Sequence, residues 1–445
     1  MLPIVGVPET LKRLIGEYRE IFCREAGFDH ISRYLTGLIV SDNKTLQGIY
    51  ANLAGEKKAS RRAMHEAVFE SGWEKEKLMP KHRSLVSKDH KGKGREVISI
   101  DWTLSHHEKG AQIFGVKKSY DYVNRRMSKY QILMTAVIAN RDIIDGIEVK
   151  VQTPNYEKEE KEYLKMTSQE SYQEMEKVKE RLIELVNYQK NRLAYRKKTE
   201  MAVEMVEQIE AEGNFPEANY AFDNGVLTVQ LTQIIESKGK HWVSEIESNR
   251  LIMWEGKYQR VDQVAKDLRI NYPGSFRMCK VKNRQGEVKE FLVFTKATRL
   301  KKYGKKRLVI VHEKGDLSDQ PRFLLTDALH WESGRVIETW NYRWPVEVFH
   351  EFAKQETGLE SAQVRNEEAV KRHFCLSCVA QSLLQRVSCA GGKSEKFKFA
   401  KSKPSIGQRL YSLSRECLSQ LLSYAMSLFE QGYKLEQVVE ELMPI

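Results

Sequence analysis

One segment restricts the fold of this 445-residue chain more than any other: TWNYRWPVEVFHEFAKQETGLESAQVR, residues 339–365. Pro345 suits the first turn of a helix, where its missing N–H costs nothing. At about 100° per residue, Glu347, His350 and Lys354 fall within about 40° of Arg343. Trp344, Val346, Val348, Phe349, Phe352, Ala353 and Leu359 cover the remaining surface. A helix apolar around most of its circumference is expected to be buried, so its ionisable stripe needs partners. One reading is an internal ladder, Arg343–Glu347–Lys354, paired along the helix. The other is a metal-binding carboxylate flanked by cations that hold phosphates. Glu351 falls about 80° from Arg343 and leaves the stripe.

Carboxylates also end three apolar strands: Asp101 closes EVISID, Asp223 closes NYAFD and Asp327 closes RFLLTD. At a strand terminus a carboxylate projects from the sheet edge without being buried unpaired. Phosphodiester cleavage with two divalent cations needs hard oxygen ligands, usually three carboxylates from separate segments. With Glu347 as one, strand grammar leaves three aspartates for two places.

The surrounding segments set the organisation. Residues 1–90 have helical periodicity and read as a small bundle, and KDHKGKGR at 88–95 is a polar connector. Strands follow (EVISID, GAQIFGV, YQILMTAVIA), then a charged helical stretch at 156–211 that stops at Gly213. Residues 240–312 alternate as strands, with NRQG as a turn. HFCLSCVAQSLLQRV reads as a buried helix, so His373, Cys375 and Cys378 are core residues rather than a zinc site. The six cysteines have no framework spacing and are expected as reduced thiols.

A net charge of +12 points to a polyanionic partner. Residues 51–95 hold twelve Lys/Arg against six Asp/Glu, and residues 296–307 hold seven basic residues and no acid. Lys57, Lys58, Arg61 and Arg62 in the first cluster, and Arg299, Lys301, Lys302, Lys305, Lys306 and Arg307 in the second, are the candidate DNA contacts. No apolar run is long enough to cross a bilayer and the N-terminus lacks a secretory pattern, so a cytoplasmic protein with no membrane partner is expected.

The spacing Arg343-x3-Glu347-x6-Lys354 resembles the YREK signature of DDE-class bacterial insertion-sequence transposases of family 4 and their 701-type relatives. ISIDWTLSHHEKG, with Thr103 and Lys109-Gly110, is similar to the first-aspartate block, YAFDNG to the second, and GLESAQVR, with Gln363 and Arg365, to the segment after the helix. The resemblance implies an α/β fold: an RNase H-like, retroviral integrase-like core with a β-rich insertion and helical N- and C-terminal regions. Its units would be 1–90 (helical, DNA-binding), 91–235 (core, both aspartates), 236–318 (insertion), 319–390 (core, glutamate helix) and 391–445 (linker and helix). This layout favours Asp223 over Asp327, because Asp223 precedes the β-rich block. It implies Asp101, Asp223 and Glu347 as ligands of two Mg2+, with Mn2+ able to substitute, and Arg343 and Lys354 beside them. Double-stranded DNA, as terminal inverted repeats and target, and a synaptic homodimer are the implied partners. His350 and Arg365 are implied DNA contacts, and Trp242 and Trp254 are candidates for stacking a flipped base, with ordinary strand packing as the alternative. Trp340 stands where the signature has tyrosine, and residues 156–190 exceed the family's core. A structure-selective RNase H-like resolvase and a domesticated DNA-binding descendant remain the competing classes.

Overall fold

The computed structural model describes residues 3–22, 24–55, 60–107, 110, 112–167, 175–284, 286–389 and 404–443, without the side chains of 163–181. Lys57, Lys58 and Lys109 lie outside the described residues.

Five helices open the chain: α1 (Glu9–Gly16), α2 (Glu25–Val40), α3 (Leu46–Ala51), α4 (Arg61–His65), continued by a π-helical turn, and α5 (Lys75–His90). Ser60 and Thr45 cap α4 and α3 by accepting backbone N–H groups from Ala63 and Gly48. The sheet begins with β1 (Val97–His106), β2 (Lys117–Asp121), β3 (Arg126–Ala139) and β4 (Ile144–Val151). β3 runs antiparallel to β1 on one side and to β2 and β4 on the other. Three helices, α6 (Glu157–Thr167), α7 (Met175–Ala194) and α8 (Lys198–Glu212), lead to β5 (Asn219–Phe222), which lies parallel to β1. After α9 (Val229–Ser237), β6 (Trp242–Glu245) lies parallel to β5.

The β-rich block then extends the same sheet instead of standing apart from it. It comprises β7 (Leu251–Trp254), β8 (Lys257–Arg260), α10 (Val261–Asn271), β9 (Arg277–Lys282), β10 (Val288–Leu300), β11 (Gly304–His312) and β12 (Arg322–Thr326). β12 pairs antiparallel with β6, so the hydrogen-bonded order runs β2-β3-β1-β5-β6-β12-β11-β10-β7-β8, with β4 on β3 and β9 on β10. Trp242–Glu245, grouped by its alternation with the insertion, thus sits inside the parallel run, since alternation does not say which strand a segment joins. GAQIFGV is a second correction. Gly110 (φ 93°) and Gly115 (φ 84°) take left-handed conformations, and Ile113 and Val116 donate to the carbonyls three residues back, so the described part is a pair of turns.

Four helices complete the fold: α11 (Ser333–Asn341), α12 (Pro345–Glu356), α13 (Glu367–Gln385) and α14 (Ile406–Glu430), followed by the short α15 (Leu435–Leu442). Both sheet faces are covered. Along β3, Leu133, Val137 and Ala139 enter the core formed with the N-terminal helices, α12 and α13, while Met134, Ala136 and Ile138 enter the core formed with α8, α9 and α10. That division follows the two-residue period of a strand. Gly146 of β4 allows α12 to approach, because a Cβ there would meet the Phe349 ring at 2.4 Å. His373 is bonded to Tyr34 and to the Gly358 carbonyl, and Cys375 and Cys378 are buried thiols on α13. Among the described residues no helix is long and apolar enough to cross a membrane.

Candidate active site

Strand register builds the site. Val97, Ile98 and Ser99 of β1 pair with Asn219, Tyr220 and Ala221 of the parallel β5. Continuing that register by two residues sets Asp101 level with Asp223, where β5 ends. Asp101 does not end its strand as EVISID suggested: β1 continues to His106, because WTLSH still alternates as strand, and Asp101 is buried within the ladder opposite Thr135, with the Trp102 N–H donating to its Oδ1 (2.8 Å). Asp223 sits in the turn to α9, accepting from the N–H groups of Gly225 (3.0 Å) and Val226 (3.2 Å). Asp327 lies at the other end of the strands: it accepts from the Trp242 N–H (3.0 Å) and is bonded to His241 (2.6 Å), at the start of β6.

Helix α12 supplies the third carboxylate. Arg343, just ahead of it, places Nη1 3.1 Å from Glu347 Oε1 and 3.4 Å from Asp101 Oδ2. The ladder forms only in its first half, because Lys354 turns away to Glu360, and Arg343 instead joins Glu347 to the strand carboxylate Asp101. Burial, then the neighbouring charge of Asp223 and, less strongly, Glu347, push the Asp101 carboxyl up to about 7. A carboxylate destabilised by two like charges is a place that favours a cation.

Lys198, which no motif singled out, adds a further charge. It is the first residue of α8, and because β5 follows α8 and runs back across the sheet, its position is at the carboxylate edge. Its ammonium lies 3.1 Å from the Trp102 ring centroid. Burial lowers its pKa while Asp101 and Asp223 oppose that shift, which places its charge near both. The signal for it was three-dimensional, since a lysine at a helix start is unremarkable in sequence.

The donor chemistry, oxygen atoms from three carboxylates under mutual repulsion, fits a hard divalent cation. Among the described residues no three His, Cys, Asp or Glu side chains converge closely enough to enclose an ion. Arg343 stands between two of the carboxylates, on one oxygen of each, and leaves Asp101 Oδ1 and Glu347 Oε2 outside its reach.

Several other candidates sit elsewhere than the sequence suggested. His350 is buried and hydrogen-bonded to Thr135 (2.6 Å), and burial lowers its pKa to about 3, so it is a neutral core group and not a phosphate contact. Lys354 donates to the Leu104 carbonyl (2.6 Å) and pairs with Glu360 (3.0 Å). Trp242 is fully buried, its indole N–H donating to Glu236 (2.8 Å); Trp254 is buried, with Phe294 edge-on and Lys296 over its ring. Neither offers a face to a base. Trp340 is also buried, under the Arg343 guanidinium. Trp344, expected in the core, is instead 63% exposed beside Arg343, because it precedes the first helical turn and falls outside the packed face.

The basic clusters separate likewise. Lys306 is buried against Glu236 and Arg307 donates to the Leu329 carbonyl and Thr295, whereas Arg299, Lys301, Lys302 and Lys305 are exposed around the β10–β11 turn. Register carries that turn to the far end of the sheet: Asp223 is level with Glu245, Leu324 and Val309, and Lys302 lies seven residues beyond, roughly 23 Å at strand rise. Arg61 bonds Gln47 (3.0 Å), and Arg62 pairs with Glu66 (2.7 Å) on an exposed face. Arg61 and the exposed Arg365 line one 820 Å³ cleft between the N-terminal helices and the start of α13.

A central antiparallel β4-β3-β1 unit continued by parallel β5 and β6, with one carboxylate within β1, one just past the end of β5 and one on a helix packed across them, has the architecture of an RNase H-like fold. The family model of the DDE superfamily endonucleases matches residues 17–269, more than half of the chain. The chain belongs to that family of metal-dependent endonucleases acting on DNA. The matched span contains Asp101 and Asp223 and ends before α12. No curated protein matches the chain.

Proposed function

We propose that the protein is an insertion-sequence transposase, of the family 4 and 701 type, that cleaves element ends and joins the freed 3′ ends to target DNA. The observation that carries this reading is Arg343 bridging Asp101 and Glu347 at the level of Asp223. Asp101, Asp223 and Glu347 would hold two Mg2+, with Mn2+ able to substitute; bound there, the metal supplies Lewis acidity for the attacking and leaving oxygens.

The protein's own side chains do the rest. Arg343, once it yields a carboxylate, presents a guanidinium fork to a non-bridging phosphate oxygen. Lys198 approaches the phosphate from the opposite side of the carboxylates, over Trp102, and offsets charge as it develops. Lys354 keeps α12 against β1 through the Leu104 carbonyl and so orients Glu347. The exposed Trp344 indole, next to Arg343 in the chain, would stack an unpaired base, since Trp242 and Trp254 are buried. The helical region 1–90, through Arg61 and Arg62, and Arg365 on the shared cleft contribute phosphate contacts along the duplex. Two copies of the chain would hold two ends.

The test is incubation with DNA carrying the inverted repeats that bracket the gene, in Mg2+. A transposase nicks at the repeat terminus and yields strand-transfer products. Cleavage governed only by branched structure would identify a resolvase, and binding without cleavage a non-catalytic descendant.

A further inference from the structure

β2 and the first half of β3 form a hairpin that outruns the sheet. β1 ends at His106, opposite Tyr130, while β2 continues the pairing with β3 from Tyr130 to Arg126. The hairpin leaves from the carboxylate end of β1. Five residues from Asp101 to His106 and four from Tyr130 to Arg126 put its tip at most about 30 Å from Asp101, and the His106–Asp121 bond curls it back toward the end of β1.

Its turn is braced from within. Asp121, fully buried, accepts from the N–H groups of Val123 (2.9 Å) and Asn124 (3.1 Å) and from the Asn124 amide (2.7 Å), and is bonded to His106 (2.8 Å). Arg125 is held at φ 51°, a left-handed conformation that a non-glycine residue adopts only when its surroundings enforce it. With that carboxylate consumed, no acid among the described residues pairs with Lys118, Arg125, Arg126 or Lys129. At the tip Tyr122 and Val123 are 84% and 79% exposed, and Tyr120 supports Tyr122 edge-on at 4.9 Å. An apolar tip on a stiff stem with unopposed cations fits a polyanion that has a groove.

We propose that this hairpin is a DNA-binding arm: its cations seat on phosphates and Tyr122-Val123 rests in the minor groove of duplex running outward from the carboxylate edge. At 3.4 Å per base pair, contact begins within about nine base pairs of the scissile phosphate. The proposal rests on DNA as the substrate and not on transposition.

It is tested by fluorescence anisotropy of the full chain on a 40-base-pair duplex of arbitrary sequence, without metal, across a salt series. The K118E/R126E/K129E variant is expected to bind about tenfold more weakly at 0.1 M salt and to lower the log–log salt slope by about 2.7, at 0.9 per phosphate. The Y122S/V123S variant is expected to lose about threefold in affinity at unchanged slope. An equal charge change at the exposed Lys238, Lys257 and Lys266, remote from β1, controls for net charge and is expected to cost less than twofold. All the altered side chains lie at or near the surface, and unchanged thermal melting verifies the fold. If the hairpin charge variant loses no more than the control, the arm is refuted while DNA binding stands. If the unaltered protein shows no salt-dependent duplex binding, the DNA reading fails with it.

Discussion

Arg343 Nη1, in the turn ahead of α12, lies 3.1 Å from Glu347 on that helix and 3.4 Å from Asp101 on β1, so one guanidinium ties the glutamate helix to the central strand. Replacing it with alanine removes a cation from beside the reacting phosphate and leaves the carboxylates to repel one another. Single-turnover cleavage of Arg343→Ala should fall by about 10²–10³, the usual cost of one transition-state donor. Arg343→Lys should recover only part of this, because an ammonium lacks the planar fork that grips a phosphate through two nitrogens. A variant cleaving within twofold of the parent would remove Arg343 from the mechanism.

Lys198 gives a second kinetic expectation. Lys198→Ala should lower single-turnover cleavage by about 10², and Lys198→Arg should stay within about tenfold of the parent. Loss of thermal stability with unchanged cleavage would make the lysine merely a packing partner of Trp102.

The raised pKa of Asp101 sets the pH dependence of metal binding. With the carboxyl near 7 in the metal-free protein, a divalent cation must displace a proton below that pH. Calorimetric titration with Mn2+ from about pH 5.5 to about pH 8 should give affinity that rises up to about pH 7 and then levels, with proton release on the acid side. An affinity constant over that range would contradict the clustering of charges at Asp101.

A buried network away from the site governs stability. Asp145 is bonded to His90 of α5 (2.9 Å) and Arg386 (2.8 Å), tying the bundle to β4 and the end of α13. Burial alone would push its carboxyl up, but the charge of Arg386 and the bond from His90 outweigh it and hold it well below the usual range. Because the folded-state pKa is depressed, the stabilisation is present above the unfolded value of about 4 and lost as pH falls below it. Asp145→Asn should cost about 3–5 kcal/mol at neutral pH, measured by urea unfolding, with a smaller loss on acidification than in the parent. Equal acid sensitivity would place the titration elsewhere.

The parts of this molecule legible in sequence are those fixed by local periodicity. The stripe from Arg343 to Glu347 needs only the pitch of a helix, whereas strand grammar offers Asp101, Asp223 and Asp327 alike, and the choice of Asp223 comes from the family resemblance. What sequence left open depended on which strand pairs with which. Trp242 looks like any strand tryptophan until β5 and β12 close on either side of it. The basic run at 296–307 is conspicuous in composition, yet register carries its exposed turn away from the carboxylates. Lys198 and the Tyr122 hairpin were passed over for the converse reason, since each gains meaning only from the sheet edge it reaches.

The central claim is that Asp101, Asp223 and Glu347 act as one metal site, with Asp327 a structural hydrogen-bond acceptor at the other end of the strands. The most direct measurement compares Asp223→Asn with Asp327→Asn in Mg2+-dependent cleavage, with duplex binding recorded alongside. Asp223→Asn should bind DNA like the parent and fail to cleave, while Asp327→Asn should still cleave even if it melts earlier. Cleavage by Asp223→Asn together with its loss in a folded Asp327→Asn would contradict that claim.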